Sequence, residues 1–331
     1  MSEEALPFYA IFIPIMMGIG YDSMTAFIIC FLGPNLGYCA STIDPFNVLI
    51  AQGIIGIEGN PQLWLRAVSW VIFTAVGIAW AMRYAMRVKK NPESSIVYED
   101  DKLKRIEFSV TDASIEEEFT TRHKLVLIDF ACGMGIIVWG LVTQGWYMNQ
   151  ISAVFLGMGL LAGILGGLDQ QTIAEEFVKG LADFAYAAVV IGIARGILVI
   201  AEGGMIIDTI LQALATALAG APAAVYTTFM YVVLGLLSLL VPSSSGLAAL
   251  TMPVMGPLTE LMGLNPEAAV TALQFANQTI NTISPVAGMT VAGLAVAKIS
   301  FGQWWKTIWK FFIFMVVFGL IVTAISGMLP V

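Results

Sequence analysis

Ser41-Thr42-Ile43-Asp44-Pro45 and, 240 positions further on, Asn281-Thr282-Ile283-Ser284-Pro285 are two versions of one five-residue stretch. Thr42 aligns with Thr282, Ile43 with Ile283 and Pro45 with Pro285. The same offset aligns Gly53 with Gly293, Trp64 with Trp304 and Arg66 with Lys306. Each copy is a polar, proline-ended interruption of an apolar run. In a membrane such an interruption is costly unless it faces protein, water or a ligand. Interrupted helices at matching positions of two halves are the best sequence pointer to a binding site in a transporter.

Composition sets the same frame. The chain has 331 residues, 58% hydrophobic and 11% charged. That charged fraction is less than half of what an ordinary soluble domain carries. Several apolar runs reach the roughly 20 residues that span a bilayer. The fold class expected is an all-α polytopic membrane protein. The net charge of -8 comes mostly from acids in one loop, and no basic face for nucleic acid is present. Cys30, Cys39 and Cys132 stand at no metal-ligand spacing, and His123 is the one histidine, so neither a metal centre nor a cofactor is expected. An intramembrane enzyme is disfavoured: there is no His-Glu-x-x-His motif, no serine–histidine pair and no matched pair of intramembrane aspartates. Met1-Ser2-Glu3-Glu4 is acidic, unlike the n-region of a signal peptide.

Along the chain, residues 1–90 read as the closing part of a first repeat, 91–122 as a hydrophilic linker and 123–331 as a second repeat. The first part holds a short apolar arm (6–20), a polar break with a helix cap at Tyr21-Asp22-Ser23, a broken helix (24–57) and a full span (62–88). The linker reads as a solvated connection. Spans follow at 124–143 and 151–168, the second with Gly157, Gly159, Gly163, Gly166 and Gly167 for close helix packing. A polar interfacial helix is expected at 169–180, a span at 181–201 and a surface segment at 203–220. A hairpin with its tip at Pro242–Gly246, the second broken helix (268–297) and a last span (304–328) complete the chain.

The basic residues around Arg83–Lys124 place that region in the cytoplasm. Counting from there, the hairpin dips into the membrane from outside and returns outside. The first broken helix runs outward and the second inward, as an inverted repeat requires. On this count the first repeat lacks elements that the second has: about 120–170 residues would be needed to complete it. Ser2-Glu3-Glu4 would then fall at the tip of the first hairpin.

Three polar constellations can carry chemistry. Ser41, Thr42, Asp44 and Pro45 form the first: proline removes a backbone donor and frees a carbonyl one turn earlier. The half-helix that follows offers amide N–H groups to a carboxylate. The second break holds Asn277, Gln278, Thr279, Asn281, Thr282, Ser284 and Pro285, with Asn277, Asn281 and Ser284 on one helical face at i, i+4 and i+7. The hairpin tip adds Ser243, Ser244 and Ser245, a neutral site for an anion. Glu3, Glu4 and Arg195 are further candidates. An arginine within a span costs roughly 2.5–3.5 kcal/mol and needs a partner, with Asp183, Glu202, Asp208 and Asp129 available.

Several of these stretches resemble one family. Gly20-Tyr21-Asp22-Ser23, Ala40-Ser41-Thr42 with Asp44-Pro45-Phe46, and Ala51-Gln52-Gly53 look like its first-half motifs. Gly145-Trp146-Tyr147, Ala194-Arg195-Gly196-Ile197 with Ile207-Asp208-Thr209, and Pro242–Gly246 followed by Ala248–Pro253 look like the rest. The chain thereby resembles, over nearly its whole length, the anaerobic C4-dicarboxylate carrier and arginine/ornithine antiporter family (its YfcC-like group) of the ion transporter superfamily.

The resemblance implies an elevator-type fold with an inverted repeat, broken helices and a re-entrant hairpin. It implies a multi-pass secondary transporter in the bacterial cytoplasmic membrane, with linker 91–122 cytoplasmic. The solute would be a basic amino acid or a C4-dicarboxylate, moved by antiport or cation symport. Sodium at the breaks around Thr42 and Thr282, or a proton, is the candidate coupling ion. The partners expected are the solute and membrane lipid, with a homodimer as the candidate assembly. The alternative is a truncated, non-transporting membrane protein, or a subunit completed by another chain. The second break departs from the family, which often has glycine and aspartate at its start.

Overall fold

The computed structural model describes residues 5–42, 44, 47–57, 60–107, 120–144, 148–206, 209, 213, 216 and 221–330. Among the described residues every regular element is helical. Three helices among the described residues are long and apolar enough to cross a membrane: Leu63–Lys90, Ala223–Leu240 and Phe301–Met328. Contacts divide the chain into two compact units, residues 1–108 with 186–331, and residues 109–185.

The first unit opens with α1 (Leu6–Gly18). Gly20, at φ +90°, turns the chain, and the Asp22 carboxylate caps the next helix by accepting the Thr25 N–H at 2.8 Å. That helix runs through α2 (Ser23–Phe27), a π-helical turn (Ile28–Leu32) and α3 (Gly33–Cys39). The π turn ends just ahead of Pro34, whose missing N–H interrupts the ladder there. The next helix is α4 (Val48–Ile55). The first broken helix is therefore present as two halves. α5 (Leu63–Lys90) and α6 (Tyr98–Glu107) follow.

The hydrophilic segment is not simply solvated. In α6, Asp101 and Lys104 are each 4% exposed. Asp101 accepts the Ser23 N–H at 2.7 Å and the Ser23 hydroxyl, and Lys104 donates to the Ser23 hydroxyl at 2.8 Å. Ser95 and Tyr84 donate to Asp22 at 2.6 and 2.8 Å, and Arg105 donates to the Met17 and Tyr21 carbonyls. Alternating charge reads as solvated in a sequence. Here one face of α6 neutralises the polar cap of α2.

Later in the chain come α10 (Ala223–Leu240), α11 (Ser244–Leu261), α12 (Glu267–Asn281), α13 (Gly288–Val296) and α14 (Phe301–Met328). α10 and α11 are the hairpin arms. α12 and α13 are the halves of the second broken helix. α12 is buried from Glu267 through Thr279 and packs against α10, α14, α11, α3 and α4. Close approaches fix the neighbours: a side chain at Gly77 would collide with Leu36, and one at Gly256 with Ile55. Trp304 stands edge-on to Phe27 and Phe31, with ring centroids 4.8 and 5.5 Å away.

α5 belongs to the first unit. Its inward face carries Arg66 near one end and Tyr84 near the other, about 27 Å apart at helical rise. Residues 67–82 between them carry no charge. Trp64, Val68, Val71, Ile72, Val76, Ile78, Met82 and Met86 face outward, exposed.

The second unit contains α7 (Thr121–Gln144) and α8 (Met148–Gly166), packed against each other, and the start of α9 (Gln170–Gly203). A side chain at Gly133 of α7 would collide with Met158 of α8. Gly157 and Gly159 meet nothing within 4 Å, so they do not make the close packing expected of them. Gly163 does, against Ile173. The interfacial helix at 169–180 and the span at 181–201 are instead one helix of 34 residues. The change in composition near Leu181 brings no proline to break it. Most of the 203–220 segment lies outside the described residues.

Candidate functional site

The breaks and the hairpin tip are built from groups that the helical ladder leaves unpaired, so side chains must hold them. Asn277 is the hub. Its Oδ1 accepts from the Ser244 hydroxyl at 2.8 Å, from Gln278 Nε2 at 3.0 Å and from Asn281 Nδ2 at 3.2 Å. Its Nδ2 donates to the Ser238 hydroxyl at 3.2 Å. Gln278 also donates to Ser244 at 3.0 Å, and Asn281 donates to the Pro242 carbonyl at 2.8 Å. The hairpin tip is thus tied directly to the second broken helix. Ser244 already begins α11, capped by Ser243, whose Oγ accepts the Gly246 N–H at 3.2 Å.

Thr282 lies at the second break, fully buried. Its hydroxyl accepts from Asn35 Nδ2 of α3 and donates to the Gln278 carbonyl at 2.9 Å. Its carbonyl accepts from Trp304 Nε1 at 2.9 Å. The Asn281 carbonyl accepts from Thr290 at 2.6 Å. At the first break the Ser41 carbonyl accepts from Gln274 Nε2 at 2.6 Å, and the Thr42 carbonyl from Asn60 Nδ2 at 2.6 Å. Asp44 is buried at 6% exposure, and its carbonyl accepts the Leu49 N–H at 2.9 Å.

Behind the first break lies a buried ion pair, Arg66 with Glu267, both 0% exposed. Arg66 donates to Asn60 Oδ1 at 2.8 Å and to Thr271 at 3.1 Å, while Gln52 donates to Glu267 at 2.8 Å. Gln62 adds bonds to Thr271 and Ser326. The pair is neutral as a unit and reaches the first break through Asn60.

The structure thus brings together Ser41, Thr42, Ser244, Asn277, Asn281 and Thr282 of the expected residues. Ser245 is half-buried, Ser243 and Pro285 are exposed, and Thr279 faces the Cys39 thiol and the Tyr231 hydroxyl instead of the hub. Ser284 does not extend the face of Asn277 and Asn281, because α12 ends at Asn281. Its Oγ accepts the Val286 N–H locally at 3.3 Å. Glu3, Glu4 and Pro45 lie outside the described residues, as does the side chain of Arg195. Sequence reading missed Asn35, Asn60 and Gln274, and it marked Gln278 as a polar residue of the second break and Trp304 as a repeat position without giving either a role at the site. The signal available was a lone amide in an apolar run two turns ahead of each break, Asn35 and Gln274.

Among the described residues of the breaks and hairpin tip (41–42, 44, 47, 242–246 and 277–287), Asp44 is the one charged side chain. The rest are hydroxyls, amides and apolar groups. Such a set can hydrogen-bond a carboxylate, and its one charge favours a cation.

The sequence profile of the C4-dicarboxylate anaerobic carrier family matches residues 1–327. The Escherichia coli (strain K12) protein named "Putative basic amino acid antiporter YfcC" is 36% identical, across 92% of this chain and 62% of its own length. A Haemophilus influenzae protein named "Uncharacterized protein" is 33% identical, across 92% of this chain and 60% of its own. The chain spans about three fifths of the length of these curated relatives. The crystal structure of the Alcanivorax borkumensis YdaH transporter superposes with a TM-score of 0.48 at 14% identity, covering 97% of this chain and 72% of that one.

Proposed function

The chain belongs to the C4-dicarboxylate anaerobic carrier family, and from that premise we propose that it is a secondary transporter for a small carboxylate-bearing solute, a basic amino acid before a dicarboxylate. The observation that carries the site is the Asn277 hub, which joins the hairpin tip to the second break, while Gln274, about one turn earlier on the same helix, donates to the Ser41 carbonyl of the first break. The solute's carboxylate would take the Ser245 hydroxyl and, in exchange for the Asn277 oxygen that they now serve, one donor each of Ser244 and Asn281. Its cationic end would lie toward Asp44. A dicarboxylate would bring two negative charges to a site whose one described charge is already negative, and like charges brought together cost several kcal/mol. The name of the Escherichia coli relative points the same way.

The bacterial cytoplasmic membrane is the proposed setting. The roughly 27 Å between the Arg66 and Tyr84 levels of α5 approximates the hydrocarbon core of about 30 Å. The outward apolar face of α5 and the basic Arg87, Lys89 and Lys90 at its end support this placement, with the hydrophilic segment in the cytoplasm. The breaks and hairpin would move as one body against a scaffold that includes α14. Antiport needs no coupling ion. A symport would place sodium or a proton at the breaks around Thr42 and Thr282.

In proteoliposomes the protein is expected to take up labelled arginine or ornithine saturably and to leave succinate outside. Asp44→Asn should weaken that preference at least about tenfold, the factor that roughly 1.4 kcal/mol carries. Uptake of succinate with arginine inert would reverse the choice of solute. No uptake of either kind would overturn the transporter reading.

A further inference from the structure

The two breaks hold each other. Asn35, on the first broken helix, donates to the Thr282 hydroxyl in the second break. Gln274, on the second broken helix, donates to the Ser41 carbonyl in the first break at 2.6 Å, and to the Tyr38 carbonyl at 3.3 Å. Asn35 stands seven residues before Thr42 and Gln274 eight before Thr282, so the arrangement is reciprocal. Each helix carries, two turns ahead of its own break, the donor that fixes the other's. Both donors are buried, at 5% and 0% exposure.

Fixation by side chains matters here because a break has no helical ladder to set its position. The matched carbonyls of Thr42 and Thr282 are tied within their own halves, by Asn60 and Trp304. Arg66, Gln52 and Gln62 also cross between the halves, behind the first break. Asn35 and Gln274 are the amides that cross onto the groups of the breaks themselves. From Thr282 the path continues through its hydroxyl to the Gln278 carbonyl, and Gln278 bonds Ser244 and Asn277 at the hub. Gln274 Oε1 is buried with no partner among the described residues. A buried amide with an unfilled acceptor costs stability, and an apolar residue would fill the same space without that cost. Its use lies in what its donor holds.

We propose that Asn35 and Gln274 are positioning residues that couple the two half-sites, so that solute held at one break sets the affinity of the other. This rests on the reading of the breaks as the solute site.

The test is a double-mutant cycle on the full protein in proteoliposomes, with KM for arginine as the readout. Asp44→Asn perturbs the first half-site and Asn281→Ala the second. With Asn35 and Gln274 intact, the combined effect should differ from the product of the single effects by about threefold or more. In a background of Asn35→Leu with Gln274→Met, it should shrink to the product within about twofold. Should that background fail to fold, Thr282→Val removes the acceptor of Asn35 with little change in shape and should shrink the coupling in the same way. Coupling that persists undiminished in the altered backgrounds, or additivity in the intact protein, overturns the inference and leaves the transport reading standing. Absence of uptake by the unmodified protein overturns both. A purely structural role for these amides would lower thermal stability without abolishing the coupling, so melting curves accompany each variant.

Discussion

At the scale of single residues, the structure concentrates its polar chemistry on amides rather than charges. Asn277 takes three donors on one oxygen, so its loss would leave Ser244, Gln278 and Asn281 short of an acceptor at once. Asn277→Leu is expected to raise the KM for solute at least about tenfold, as several charge-neutral hydrogen bonds together carry. A flux assay with unchanged expression checks this. The Arg66–Glu267 pair is expected to behave oppositely in its single and double variants. Arg66→Met alone leaves a buried carboxylate unpaired and should cost about 3–5 kcal/mol. Adding Glu267→Met removes that charge and should restore most of the loss, measured by thermal unfolding in detergent. The residues at the breaks were legible in the sequence because proline and hydroxyls recur at one offset. Asn35, Asn60 and Gln274 were not, because an amide in an apolar run does not reveal which helix it will meet. Arg66 was legible as a repeat position, matched with Lys306, but Arg66 is buried and Lys306 exposed. The repeat does not extend to their environments.

At the scale of elements, the sequence carried Asp22 as a cap and the two proline-ended breaks, while Pro34 beside a π turn and Ser243 as the cap of α11 emerged from the structure. α9 did not, since a shift from polar to apolar composition with no proline leaves a helix free to continue. α6 is the clearest case of a pattern with two meanings. Its acids and bases suit a solvated linker equally well, and only the position of Ser23 and Asp22 reveals the buried face. This docking makes a prediction at its own scale. Asp101→Ala removes the acceptor of the Ser23 N–H and hydroxyl and the partner of Lys104, and should destabilise by about 1–3 kcal/mol. Hydrogen exchange should then show faster exchange across 98–107 and at the start of α2, while α12 keeps its protection.

At the scale of the whole molecule, the polar clusters stand at the two ends of α5, with the apolar outward face between them. If that band is the bilayer, residues beyond its ends must be reachable from opposite sides. Lys102 has a side chain 53% exposed, and Leu261 is 84% exposed. A cysteine in place of Lys102 should react with an impermeant maleimide from the cytoplasmic side alone. One in place of Leu261 should react from outside alone. Labelling of both from one side would contradict the inverted arrangement. Family membership was legible because its motifs run along the chain, whereas the proposed choice of solute rests on one residue, Asp44, the one acid among the described residues of the breaks and hairpin tip.

The proposed transport activity requires that solute sit where the hairpin tip meets the breaks. Ser245 is half-buried at that tip, and the native Cys30 and Cys39 are buried while Cys132 is exposed. A Ser245→Cys variant in a Cys132→Ser background therefore reports on the site through its rate of thiol labelling. The transported solute is expected to slow this labelling saturably, with half-effect near its KM, while a solute that is not transported leaves the rate unchanged. Labelling that proceeds at the same rate under saturating transported solute would place the solute elsewhere.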